Sequence, residues 1–169
     1  MLLAVVLLVL GGTILFYSIY YPVKFENEVA SASEEFGVKK SLIYAVINAE
    51  SSFDKNALSS RGAVGLMQIL PSTASSVARL LKEEFDPNAL LNPSTNIRYG
   101  TKYLSMLLKS FDKSAAICAY NAGPGKVSGW LSDKNISSDG KTLSHVPYRE
   151  TRVYLARVEK FAKFYEKFD

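Results

Sequence analysis

Glu50 closes an apolar run, and the residues around it are those whose types and spacing could do chemistry. Ile47, Val46 and Ile43 lie three, four and seven residues earlier, on the face of a helix that Glu50 would share, and all are aliphatic. A carboxyl group at the edge of such a stripe is partly removed from water. It resists ionisation, stays protonated near neutral pH and can pass its proton to a leaving oxygen. A helix-end glutamate that reaches out to solvent has the same local sequence, so the neighbours must decide. Ser51, Ser52 and Phe53 follow at once, then Ser59-Ser60-Arg61-Gly62-Ala63-Val64-Gly65-Leu66-Met67-Gln68. The segment 53–70 is rich in Ser, Gly and Asn and breaks helical periodicity, which predicts an ordered loop beside the helix that carries Glu50. Loops held by rigid helices are where binding groups collect.

Two further sets stand out. Tyr120 and Asn121 end a run of small apolar residues, Ala115 to Ala119, with an abrupt polar pair, and Gly123 and Gly125 follow. Glu150 and Tyr154 are four apart, on one face of a last helix. Glu150 also suits a solvated first turn, where the helix dipole favours an acid. Neither set supplies an evident second catalytic carboxylate. Asp54 is close to Glu50 in sequence but falls in the loop, with no need to face it. Cys118 is the only cysteine and His145 the only histidine, so no His/Cys spacing for a metal and no supported Cys/His or Ser/His triad exists. Cys118 reads as a small buried hydrophobe, His145 as solvated. We expect no metal and no cofactor.

The elements that must position these groups are all helical. Phe25, Val29, Ala32 and Phe36 mark an amphipathic helix ending at Gly37, and a second runs from about Lys40 to Ser51. Pro71 opens a third, Asn92-Pro93 caps and starts a fourth that runs to about Ser110, and Asp112 caps a short helix stopped by Gly123-Pro124-Gly125. Residues 132–145 read as a polar loop. A last helix from about Tyr148 to Phe168 is expected to turn Val153, Ala156, Phe161, Phe164 and Phe168 towards the core. No convincing strand appears, so the fold class is all-α.

Residues 2–21 carry no charge and are mostly aliphatic or aromatic. About 20 such residues in a helix span roughly 30 Å, the thickness of a bilayer's hydrocarbon core. No Lys or Arg precedes this run and no small-residue cleavage pattern follows it, which favours a retained transmembrane helix over a cleaved signal. The expected division is an N-terminal membrane anchor, or uncleaved signal, over residues 1–22 and one catalytic domain over 23–169. The net charge of +4 then belongs wholly to the domain and suits anionic envelope polymers or lipid head groups. Basic residues are interleaved with acidic ones, so nucleic acid is not an expected partner.

Taken in order, these motifs resemble the lytic transglycosylases that cleave bacterial peptidoglycan, the group with the goose-lysozyme-like catalytic domain. The resemblance spans about residues 26–168. It rests on Glu50-Ser51 with Phe53; Gly62 to Gln68 with Pro71 and Thr73-Ala74; Asn92-Pro93 with Asn96, Gly100 and Tyr103-Leu104; Ala119 to Gly123; and Pro147-Tyr148 with Glu150-Thr151-Arg152 and Tyr154. It implies a lysozyme-like helical fold in which Glu50 is the acid and later the base. It also implies that the substrate's own N-acetyl carbonyl and 6-hydroxyl replace a second carboxylate, leaving a 1,6-anhydromuramyl end. Ser59 and Gln68 match polar positions that line the groove, although Ser59 equally suits a turn. Met67 would offer a polarisable surface beside the sugar, or join the core. Tyr120 could orient the Glu50 carboxyl, Asn121 could meet an N-acetyl carbonyl, and Gly123 and Gly125 could let the backbone approach the glycan. The match places Glu150 and Tyr154 near the groove. The implied partners are peptidoglycan glycan strands and the membrane, the implied site a monomer on the wall side of the cytoplasmic membrane. A hydrolytic muramidase of the same fold and a catalytically silent peptidoglycan-binding scaffold are the alternatives.

Overall fold

The computed structural model describes residues 11–12 and 19–169. Most of the expected anchor, residues 2–21, therefore lies outside the described residues. Among those described, no helix is long and apolar enough to cross a membrane.

From Glu26 onward the described residues form, in order, α1 (Glu26–Phe36), α2 (Lys40–Ser51), α3 (Pro71–Leu81), α4 (Pro93–Ser110), α5 (Lys113–Ala122), α6 (Pro124–Ser132) and α7 (Arg149–Tyr165). Short 3-10 turns sit at Pro87–Leu91 and Glu166–Phe168. The described residues hold no strand, only two isolated bridges, Leu58 with Val64 and Val64 with Ile69, which fold the loop before α3. Local chemistry sets most of the boundaries. Gly37 ends α1 in the left-handed region at φ 67°, the Asn92 side chain accepts from the Ser94 and Thr95 N–H groups, and Asp112 accepts from Ala115 N. Pro124, expected only as a stop, instead opens α6, because a proline at the first helical position lacks an N–H that would have no partner anyway.

The centre of the domain is α2. Residues 41–48 are buried on every side, wider than the single stripe through Ile43, Val46 and Ile47. It packs chiefly against α7, while α1, α3 and α4 complete the main core. A second cluster joins Leu107, Ala115, Ala116, Cys118, Ala119, Val127, Trp130, Leu131 and Val146, with Tyr103, Tyr120 and Leu155 touching both clusters. Cys118 is fully buried there, and burial raises its thiol pKa to about 11.

The phase of α7 differs from the expected stripe. Its buried residues are Thr151, Tyr154, Val158, Ala162 and Tyr165, whereas Val153 is 49% exposed and Ala156 is exposed. Phe161, Phe164 and Phe168 flank the core half-buried. The helix carries apolar residues on two adjacent faces, and contact with α2 selects the one containing the tyrosines.

The chain preceding α1 is docked on this same pair of helices. The Asn48 amide donates to the Tyr20 carbonyl (2.9 Å) and to the Tyr165 hydroxyl (3.0 Å), and that hydroxyl donates to the Pro22 carbonyl (2.9 Å). Tyr21 stacks on Phe164 with centroids 3.9 Å apart. Residues 20–22 thus satisfy two buried polar side chains of the core.

Candidate functional site

Glu50 is the penultimate residue of α2, and both ends of that helix are fastened by distant groups. At its start Asp169 caps it across space, accepting from Ser41 N and Ser41 Oγ at 2.8 Å each. At its end Ser52 and Phe53 adopt the left-handed conformation in succession (φ 51° and 66°) and turn the chain back. Such a turn costs a non-glycine residue about 1 kcal/mol or more. Burial of the Phe53 ring, 4% exposed and against Tyr44, offsets it.

The reversal lays the loop 54–70 beside Glu50, and four side chains pin it there. Ser51 Oγ donates to the Leu66 carbonyl at 2.8 Å. Asn96, buried on α4, accepts from Met67 N and donates to the Val64 and Leu90 carbonyls, using both of its N–H groups. Gly65, at φ 75°, lies so close that a Cβ would stand 2.8 Å from Asn96 Cγ and 2.9 Å from the Leu90 oxygen. Gln68 donates from Nε2 to the Ala57 and Gly65 carbonyls (3.0 and 2.9 Å), and the Tyr120 hydroxyl donates to the Met67 carbonyl at 2.8 Å.

Two cavities meet at Glu50. The larger, about 520 Å³, is lined by Ala49, Glu50, Asn121, Arg149, Glu150, Val153, Tyr154 and Arg157. The smaller, about 360 Å³, is lined by Glu50, Ser59, Ser60, Arg61, Ala63, Gln68, Leu70, Tyr120, Asn121 and Glu150. Glu50, Asn121 and Glu150 belong to both, so the carboxyl sits at the waist of a two-sided cleft. Burial, the largest cause, and the Glu150 charge raise its pKa to about 7, against the lowering effects of the Tyr154 hydroxyl and Arg157. An acid balanced there can give up a proton and later take one back near neutral pH.

The structure brings Ser59, Gln68, Tyr120, Asn121, Glu150 and Tyr154 to the cleft with Glu50 and leaves one expected residue out. Met67 is fully buried, its side chain packed on Gly100 and its sulfur 3.8 Å from the Thr101 hydroxyl, so it is a core residue and only its backbone serves the loop. Ser59 forms the turn as well as facing the cleft, its Oγ accepting from Ala63 N at 2.9 Å. With both Gln68 N–H groups committed to the loop, its Oε1 remains as an acceptor. Asn121 Oδ1 accepts from Thr151 Oγ1 at 2.8 Å, which leaves its amide N–H groups as donors. Because Tyr120 spends its O–H on the Met67 carbonyl, it does not donate a hydrogen bond to Glu50. Tyr154 is the phenol beside the carboxyl instead. Its hydroxyl is the one buried side-chain polar atom among the described residues that makes no well-formed hydrogen bond. Gly123 and Gly125 line neither cavity. Asp54 accepts from Asn56 N within its own turn and also lines neither, so Glu150 is the second carboxylate of the cleft.

Arg61, Arg149, Val153 and Arg157 line the cleft without having been singled out from sequence. The spacing of Arg149, Val153 and Arg157 at four-residue steps was a visible signal. Assigning Val153 to the core hid it. Among the described residues no group of three or more His, Cys, Asp or Glu is placed to hold a metal ion.

Residues 28–142 match the family model described as the Transglycosylase SLT domain. The chain is 31% identical over 153 residues to a soluble lytic murein transglycosylase of Salmonella typhimurium, covering 88% of this chain and 24% of that one. It is 31% identical over 169 residues to the membrane-bound lytic murein transglycosylase C of Serratia proteamaculans, covering 85% and 47%. Among solved structures it resembles an inactive glutamate-to-glutamine mutant of the lytic transglycosylase Slt of Pseudomonas aeruginosa, with TM-score 0.81, 32% identity and coverage of 90% and 25%. The chain thus spans between a quarter and a half of these relatives.

Proposed function

The chain belongs to the Transglycosylase SLT domain family, and from that premise we propose that it cleaves the β-1,4 bond between N-acetylmuramic acid and N-acetylglucosamine in peptidoglycan without consuming water. The carrying observation is one carboxyl, Glu50, held at the waist of a two-sided cleft with its pKa raised to about 7. A glycan strand would lie through both cavities with its scissile oxygen at Glu50. The protonated carboxyl gives its proton to that oxygen as the bond breaks and positive charge grows on the muramyl anomeric carbon. The substrate's N-acetyl carbonyl stabilises that carbon. Glu50, now ionised, then takes the proton of the muramyl 6-hydroxyl as its oxygen attacks C1, closing the 1,6-anhydro ring and restoring the acid. Asn121 offers N–H donors and Gln68 Oε1 an acceptor to the sugar amides and hydroxyls; Tyr154 sets its buried hydroxyl beside the carboxyl.

Residues 2–21 would anchor the protein in the cytoplasmic membrane as a single span, with residues 23–169 a monomeric catalytic domain on the wall side, where the polymer is. A membrane-bound relative is in keeping with this. The product tests the reaction. Mass spectrometry of a digest should show muropeptide ends one water lighter than hydrolytic products, resistant to borohydride and unlabelled in heavy-oxygen water. Reducible, labelled ends would make the enzyme a muramidase, with Glu150 as the base. No product at all would leave the silent scaffold.

A further inference from the structure

The larger cavity contains more positive charge than a sugar chain calls for. Arg149, Val153 and Arg157 follow one another at four-residue steps along α7 and all line it. Both arginines are exposed and neither has a carboxylate within 4 Å among the described residues, whose ion pairs are those of Lys39 with Asp169 and of Arg98 with Glu35 and Glu83. Arg157 makes only a long bond of 3.5 Å from Nη1 to the Ala49 carbonyl, enough to hold its guanidinium at the mouth of the cavity. Val153 lies between them, 49% exposed. The two arginine positions are eight residues apart, about 12 Å along the helix axis. Glu150 reaches the same cavity, so the wall is mixed, with its cationic groups at the two ends.

A glycan backbone is neutral and is held by hydrogen bonds and ring contacts. Its charge resides on the substituent of the muramyl sugar, either the free lactyl carboxylate of a stripped strand or the carboxylates of an attached stem peptide. Guanidinium groups pair with carboxylates in a planar two-bond geometry that lysine does not match. On the reading of the cleft given above, we propose that Arg149 and Arg157, with Val153 between them, recognise the carboxylate-bearing substituent of the muramyl residue in the larger cavity. The 12 Å spacing favours the stem peptide, because an extended chain of several residues reaches both cations and lays its aliphatic part on Val153, whereas a lactyl group reaches one.

The test separates binding from cleavage. In the Glu50→Gln background, where position 50 neither titrates nor cuts, co-sedimentation is measured with three insoluble glycans: intact stem-bearing peptidoglycan, the same material with its carboxylates chemically amidated, and strands stripped of peptide. Adding Arg149→Gln and Arg157→Gln together should weaken binding to intact peptidoglycan about tenfold or more and to the amidated form less than twofold. Replacing Arg157 by Lys instead of Gln in that pair should recover only part of the loss. A tenfold loss on intact but not stripped strands identifies the stem as the source; a comparable loss on stripped strands identifies the lactyl group. Equal loss on amidated and intact material, or no loss on either carboxylate-bearing form, overturns the assignment. The chemistry of the product ends, read separately on the wild-type chain, decides the transglycosylase reading and leaves this outcome untouched.

Discussion

Replacing Glu50 by Gln should make the domain more stable at high pH while abolishing turnover. The Glu50 pKa rises from an ordinary 4.5 to about 7 in the folded protein, chiefly because burial disfavours the charged form. Below 4.5 the carboxyl is protonated in both folded and unfolded chains, and its raised pKa costs nothing. As pH climbs from 4.5 to 7 the unfolded chain loses its proton first, so stability drains away over that window and stays reduced above it. A difference of about 2.5 in pKa at about 1.4 kcal/mol each sets the cost near ~3.5 kcal/mol as an upper bound at pH 8. Glutamine keeps size and polarity but cannot ionise. Chemical denaturation of the two proteins at pH 4 and pH 8 should therefore show a gap that opens by about 2–3 kcal/mol in favour of the variant at the higher pH. Turnover of a peptidoglycan suspension should be lost at both. A gap that does not change with pH would show that Glu50 is not desolvated, and appreciable clearing by the variant would show that it is not the acid.

The activity of the wild-type chain should fall as pH rises through about 7, where the acid loses its proton. Arg157→Gln should move that falling limb to higher pH, because the guanidinium favours the ionised carboxylate; an unmoved limb would remove Arg157 from the acid's surroundings. Gly65→Ala should cost about 2–4 kcal/mol and much of the activity, since a Cβ at φ 75° drives into Asn96 and the Leu90 carbonyl and unseats the loop; a variant with wild-type stability would show that the loop yields freely. A fragment beginning at Lys24 should melt roughly 5–10 °C below one beginning at Ile19, because it lacks the Tyr20 and Pro22 carbonyls and the Tyr21 ring, together worth about 2–3 kcal/mol. Matching melting temperatures would mean that the docked segment contributes nothing.

The sequence by itself determined the helical class, most helix boundaries and the carboxyl at the heart of the site. These rest on short-range chemistry: Asn92 and Asp112 bond the N–H groups of the next turn, Gly37 takes a left-handed φ, and Glu50 ends a run too apolar to be anything but core. Bonds between near neighbours can be read from neighbours. Tertiary structure alone decided which phenol meets Glu50, since Tyr120 and Tyr154 are equally plausible until the loop's Met67 carbonyl claims one of them. It also set the phase of α7, where two adjacent apolar faces compete and only packing on α2 chooses between them, sending Tyr154 inward and Val153 to the cleft wall. Met67 went to the core because Gly100, far along the chain, leaves a space that fits it. Residues 20–22, legible only as the end of an apolar run, lie against α2 and α7 because Asn48 and Tyr165 need partners that their own helices do not provide. In each case the deciding partner comes from a distant part of the chain, and no local pattern records which of several chemically adequate partners a compact fold will bring within reach.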